Sequence, residues 1–356
     1  MRVKGKIVQY DILRTITTLL VVIGHARYFF LQTGFGGCDY SALVDSQNGS
    51  WRIIGLITEF LNAFHMPVFM ALGGALFYGS LHRGSVQSLG ALAVNKAKRL
   101  LVPFLVVGLL YVFPMKLISG YYAQSDNVVW DLLMGQILIQ GNTHLWYLPA
   151  MFLDFLICYV LEVYGRKIPA WVKLVALAAI SALMWDFPIN LIAYPLRYAV
   201  WFYAGFCFES IRSSVDQWAT GLYGVVGCVL TAVVYLFARW LPNGVLPSLV
   251  AYLCFKWVVP VLAGLSLYMV CCGLSNTSLD SSRGYRFLVD RTFGIYLYSD
   301  PVNYVVLALA ASLSGAFFFA DSVGIWALYL LRIVLSLGVA LGISTLLKRW
   351  KVPYIV

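Results

Sequence analysis

Long apolar segments separated by short polar ones run the length of this chain. A helix that crosses a bilayer needs about 20 mostly apolar residues, and ten stretches answer that description: 12–31, 53–79, 100–119, 145–164, 172–186, 193–210, 219–237, 249–273, 293–315 and 322–346. No internal repeat or low-complexity tract interrupts them. The pattern predicts an all-α integral membrane protein of about ten transmembrane helices, forming a single membrane domain over 1–356 with no soluble domain appended. The longest outer connection, "GYYAQSDNVVWDLLMGQILIQGNTH" from Gly120 to His144, is too polar at its ends for a span. It predicts an interfacial or re-entrant helix over 128–139.

Composition agrees with this reading. The 356 residues are 61% hydrophobic and 11% charged, with a mean hydropathy of +0.83, whereas soluble domains are about 25% charged. The net charge of +10 is not a nucleic-acid signature, because the basic residues cluster in alternate connections. Arg2, Lys4 and Lys6 precede the first span, Arg83, Lys96, Lys98 and Arg99 separate the second from the third, and Lys348, Arg349 and Lys351 follow the last. Only Arg52, Lys116 and Arg239 fall in the opposite connections. That bias places both termini in the cytoplasm. Of seven cysteines, only Cys38 lies outside an apolar stretch, so they read as small hydrophobes rather than a disulfide framework. "MRVKGK" ahead of an apolar run mimics a secretory signal, but no A-x-A site follows and Arg14 interrupts the run. A retained first span is expected.

That first span, "YDILRTITTLLVVIGHARYFF", contains Arg14 and His25. Eleven residues make about three helical turns, so the two share a face with an offset of about 20° and are separated by about 16 Å along the axis. Ionisable groups are costly inside a membrane and usually face the protein interior or a wet cavity, although a snorkelling Arg14 and a hydrogen-bonded neutral His25 would be structural readings of the same residues.

In this setting, "DILRTITTLLVVIGH", the chain resembles the acyltransferase type 3 family, whose hallmark is a first-span arginine followed after ten residues by a histidine. Four further stretches resemble the family in order: "FHMPVFMALGGALF" at 64–77, "KAKRLLVPF" at 96–104, "HLWYLPAMF" at 144–152 and "FGIYLYSDPV" at 293–302. Where family members often carry a histidine after "YL" in the ninth span, this chain has Tyr298, Ser299 and Asp300. The resemblance implies a membrane O-acetyltransferase that moves an acetyl group from acetyl-CoA to a hydroxyl of a lipid-linked or surface glycan such as an O-antigen, capsule or exopolysaccharide unit. It further implies the bacterial inner membrane as location.

The residues suit that chemistry. A sugar hydroxyl needs a base to take its proton, and imidazole is the side chain with an ordinary pKa nearest neutrality, which assigns His25 as general base; a transient acetyl-histidine is the variant. The polyanionic donor needs fixed cations, for which Arg14 offers a bidentate fork, with Lys96, Lys98 and Arg99 at the cytoplasmic mouth. The same basic run also serves to set topology. His65, Trp146, Ser299 and Asp300 are candidates for lining the acceptor path, against structural readings of His65 as a helix hydrogen bond and Trp146 as an interfacial anchor. The glycines of "ALGG" at 71–74 suit close helix packing. No CxxC, P-loop, GxSxG or cytosolic metal motif is present, which disfavours a metalloenzyme, ATPase or serine hydrolase of those kinds. Two alternatives stay open: a secondary transporter or flippase of a lipid-linked glycan, for which internal repeats would be expected, and an acyltransferase using a longer acyl donor or an amine acceptor.

Overall fold

The computed structural model describes residues 7–27, 29–45 and 47–355. The N-terminal basic residues Arg2, Lys4 and Lys6 lie outside the described residues, as does Tyr28 of the first predicted span. The chain is 79% helical. Among the described residues the main elements are α1 (Val8–His25), a hairpin of β1 (Phe30–Thr33) and β2 (Gly36–Asp39), and α2 (Gly49–His82). There follow α3 (Leu89–Ile118), α4 (Val128–Ile137), α5 (His144–Val163) and α6 (Ala170–Leu183). The rest is α7 (Asn190–Asp216), α8 (Gly221–Arg239), α9 (Val245–Ser275), α10 (Arg283–Val289), α11 (Thr292–Tyr298), α12 (Asp300–Ala320) and α13 (Ser322–Arg349).

Seven of these helices are long and apolar enough to cross a membrane: α2, α3, α5, α8, α9, α12 and α13. The other three segments expected to span are helices of a different kind. The eighteen residues of α1 include Gln9, Asp11, Arg14 and His25, α6 has only 14 residues, and α7 carries Arg197, Glu209, Arg212 and Asp216. The expected helix after residue 128 is present as α4.

The first segment departs from expectation at its end. The apolar pattern predicts a span to residue 31, but α1 stops at His25 and the chain turns into the β1–β2 hairpin. The reason is local: the aromatic and β-branched residues of "FFLQT" favour a strand, and Gly36, at φ +110°, supplies a backbone that L side chains rarely adopt. The hairpin is seated by the amide of Gly37, which donates to the carbonyl of Tyr121 at 2.8 Å. A Cβ at Gly36 would stand 2.6 Å from the Tyr121 ring.

Prolines shape the long helices. In α3 and α9 three wide π turns, Ala97–Leu101, Gly108–Val112 and Cys254–Val258, each lie two residues ahead of Pro103, Pro114 or Pro260. A proline cannot donate to the carbonyl four residues earlier, and a one-residue expansion of the turn absorbs the fault.

By packing, the chain divides into two units, each built from separated stretches. The first gathers the described part of Met1–Val21 with Glu59–Gly79 and Trp201–Thr292; the second gathers Val22–Thr58, Ser80–Val200 and Phe293–Val356. In the first, the backbones of α2 and α7 nearly touch: a Cβ on Gly74 would fall 1.8 Å from the carbonyl of Phe202, and one on Gly205 would fall 1.8 Å from that of Ala71. The "ALGG" glycine thus has the packing role that small residues play between membrane helices. In the same unit Tyr10 bonds Glu209, Arg239 pairs with Glu59 and Arg212 bridges Glu209 and Asp216. In the second, a core around Phe29, Val302, Leu307, Phe319 and Leu328 packs the hairpin region on α12 and α13.

Gly74→Ala should lower the unfolding temperature of the detergent-solubilised protein, since overpacking costs about 1–3 kcal/mol. Gly338→Ala, where no atom lies within 4 Å of the added Cβ, should leave it unchanged or raise it. Equal effects of the two substitutions would contradict the close approach.

Candidate active site: a carboxylate between two histidines

The site is assembled entirely within the second unit. α11 and α12 form one broken helix, and the break is written in "LYSDP": Pro301 has no N–H to give to the carbonyl of Leu297, four residues earlier. His144 Nε2 takes that place, 3.1 Å from Leu297 O, and the hydroxyl of Tyr111 donates to the next carbonyl, that of Tyr298, at 3.0 Å. The break therefore holds a histidine that no helix pattern would have placed there.

The same break sets Asp300 in the first turn of α12, where the positive end of the helix dipole favours a carboxylate. Asp300 is 2% exposed. Its Oδ2 lies 3.2 Å from Nδ1 of His144, and its Oδ1 lies 3.1 Å from Nδ1 of His25. The charge of Lys116 also reaches Asp300, and that of Arg332 reaches His25. A buried carboxylate is costly unless paired; here two imidazoles and a helix N-terminus share it.

Each histidine is fixed from behind. His25 ends α1, so a positive charge on its ring meets the negative end of that helix, and the hydroxyl of Tyr329 donates at 3.2 Å to the carbonyl of Ile23 in the same last turn. His144 presents Nε2 to the carbonyl of Leu297 and Nδ1 to the carboxylate of Asp300. Its own carbonyl accepts from Tyr296 at 2.6 Å, and its ring meets that of His25 edge-on at 6.3 Å. Lys116, 2% exposed, donates to the carbonyl of Asn142 at 2.5 Å, and Asn142 Nδ2 donates to the hydroxyl of Tyr304 at 2.8 Å, one turn beyond Asp300.

Of the residues expected from sequence, His25 and Asp300 meet, with Ser299 buried at the break beside them. The others stand elsewhere. Arg14, eleven residues before His25 on α1, is ion-paired with Asp11 at 3.1 Å and keeps 39% of its side chain exposed. Lys96 places its ammonium 3.4 Å from the centroid of Phe155, while Lys98 and Arg99 are exposed. His65 turns Nδ1 onto the carbonyl of Leu61 in its own helix at 2.8 Å, and Trp146 packs against Tyr194 and Tyr198 at 4.5 and 5.0 Å.

His144 was not among the expected site residues. It is buried, 6% exposed. Its signal in the sequence was the pairing of a lone histidine in "HLW" with a lone Asp-Pro in an apolar segment, two polar anomalies that only pay off together. Among the described residues no cluster of His, Cys, Asp and Glu is arranged to hold a metal ion.

A carboxylate beside an imidazole at the end of a helix is an arrangement that can support proton transfer. The model of the acyltransferase type 3 family, described as an acyltransferase domain, matches residues 7–349. The chain belongs to this acyltransferase family. Comparison with curated proteins gives no match, and neither does comparison with solved structures. Taken with the apolar helices, membership makes the protein a multi-pass membrane acyltransferase.

Asp300→Asn keeps the shape of the side chain and removes its charge. Acyl transfer by this variant should fall by roughly 10²–10⁴ in kcat, the range for loss of general-base function or of the residue that orients the base, with a much smaller change in acceptor KM. A native kcat in folded Asp300→Asn protein would show that the contact with His25 is only structural.

Proposed function

We propose that this protein is an O-acetyltransferase of the bacterial inner membrane, moving an acetyl group from cytosolic acetyl-CoA to a hydroxyl of a surface-polysaccharide unit such as an O-antigen, capsule or exopolysaccharide precursor, presented on a lipid. The observation that carries this reading is the 3.1 Å approach of Asp300 to Nδ1 of His25. In this reading Nδ1, the nitrogen next to the carboxylate, keeps its proton, and Nε2 is the nitrogen that accepts one.

In the proposed reaction the acceptor hydroxyl oxygen bonds to the thioester carbon while its proton passes to His25 Nε2. The imidazolium so formed stands between Asp300 and the C-terminal end of α1, both of which stabilise positive charge. Collapse of the tetrahedral intermediate breaks the carbon–sulfur bond, the thiolate of CoA takes the proton from Nε2, and the acetyl ester and free CoA leave. His144 holds Asp300 from the opposite side, so the carboxylate does not wander as the charge on His25 changes.

Arg14 is assigned the donor's phosphates, supported by its partly exposed side chain and by its spacing from His25 along α1; Lys98 and Arg99 present further cations at an exposed turn of α3. Ten spans with both termini in the cytoplasm remain the topology that the distribution of basic residues favours.

The test is label transfer. Native protein in nanodiscs, given acetyl-CoA labelled on the acetyl carbon and a lipid-linked glycan extract, should acetylate the glycan; His25→Ala should insert and fold normally yet transfer nothing. Transfer by His25→Ala would remove the base from the mechanism. Arg14→Lys, which keeps the charge but loses the fork, should raise the KM for acetyl-CoA more than it lowers kcat, and an unchanged donor KM would count against its role.

A further inference from the structure

The second unit contains a cavity of about 600 Å³, well within the range of about 300–1,000 Å³ of small-molecule sites. It lies between the β1–β2 hairpin and the segment from Ser119 to Asp131 that leads into α4. Its lining includes three carboxylates, Asp39, Asp126 and Asp131, the amides of Gln32, Gln124 and Asn127, and the rings of Tyr40, Tyr121 and Trp130. No lysine, arginine or histidine is among the described residues that line it.

The hairpin is pinned, not draped, over this space: Gly37 donates to Tyr121 O, and the absent Cβ of Gly36 lets the strand close on the Tyr121 ring. Trp130 is set in the first turn of α4 by Asn127, whose Oδ1 accepts from the Trp130 amide at 3.0 Å, and the residue remains 52% exposed. Tyr121 closes the opposite wall and connects the cavity to the site. It packs edge-on against Tyr304 at 5.5 Å, and Tyr304 follows Asp300 by four residues, about 6 Å along α12.

We propose that this cavity is a sugar-binding subsite selective for neutral or amino sugars over uronic acids. A pyranose has an apolar C–H face and a rim of hydroxyl donors. The cavity supplies the complement of each, aromatic faces on one hand and carboxylate and amide oxygens on the other. The three carboxylates repel an anionic sugar, and amino sugars gain from them. The inference rests on the acetyl-transfer reading for what the bound sugar does, since it places one unit of the acceptor beyond Tyr121 and directs the chain toward His25.

The test measures binding without any acyl donor. Purified full-length protein in nanodiscs is titrated with a panel of disaccharides built from glucose, galactose, N-acetylglucosamine, galactosamine or rhamnose, and with uronic-acid disaccharides, read by saturation transfer to the sugar protons. At least one neutral or amino disaccharide should bind, and the uronic acids should bind at least about tenfold more weakly. Trp130→Ala should weaken binding about tenfold or more, equivalent to about 1.4 kcal/mol, and Asp131→Lys should narrow or reverse the preference against uronic acids, both in protein of native unfolding temperature. Absence of binding by every member of the panel overturns the proposal, as does binding that neither substitution alters. Because no donor is present, protein that binds sugar here but never transfers acetyl would retain the subsite and lose the catalytic reading, whereas transfer without this binding would do the reverse.

Discussion

Pro301 lacks an N–H, and the carbonyl of Leu297 therefore looks elsewhere for a donor and finds His144. From that one missing hydrogen bond the rest of the site follows. The helix restarts at Asp300 with its positive end toward the carboxylate, the borrowed histidine grips one carboxylate oxygen, and the other oxygen is left to face His25. Breaking a helix at membrane depth is tolerable only where the orphaned backbone groups are met by protein. Here the groups that meet them, His144 and Tyr111, also hold the site together.

Opposed helix ends make the second constraint. α1 stops at His25 and α12 starts at Asp300, so a negative helix end meets an imidazole and a positive one meets a carboxylate. An ion pair buried without such support costs more than it returns. With it, positive charge on an imidazole here meets groups already in place to stabilise it.

The same residues tie the site to the hairpin region. Lys116, Asn142, Tyr304 and Tyr121 form a continuous set of hydrogen bonds and ring contacts running from the turn after Asp300 to the floor of the polar cavity. This gives the second unit both chemical groups and a polar chamber, while the described cavity of the first unit, beside Pro67, Trp201 and Pro260, is lined almost wholly by apolar side chains. Buried polar residues in an apolar chain are not scattered, because each one needs a neighbour to meet its hydrogen bonds.

Composition and periodicity by themselves determined that this chain is helical and lies in a membrane, since 61% hydrophobic residues in segments of bilayer length have no other stable arrangement. The spacing of Arg14 and His25, the short helix after residue 128 and the close-packing glycine of "ALGG" were legible for the same reason: each depends on residues near in sequence and on fixed helix geometry. Tertiary structure alone decided which polar residues meet. Asp300, His25 and His144 come from α12, α1 and α5, and no local rule of helix geometry brings these three together. The β hairpin is not legible in the sequence, because β1 continues the apolar run of the first span and the hairpin is seated by a bond from Gly37 to Tyr121, more than eighty residues away. Helix geometry is carried by neighbours along the chain, whereas the cost of a buried charge is settled by whatever the fold brings opposite it.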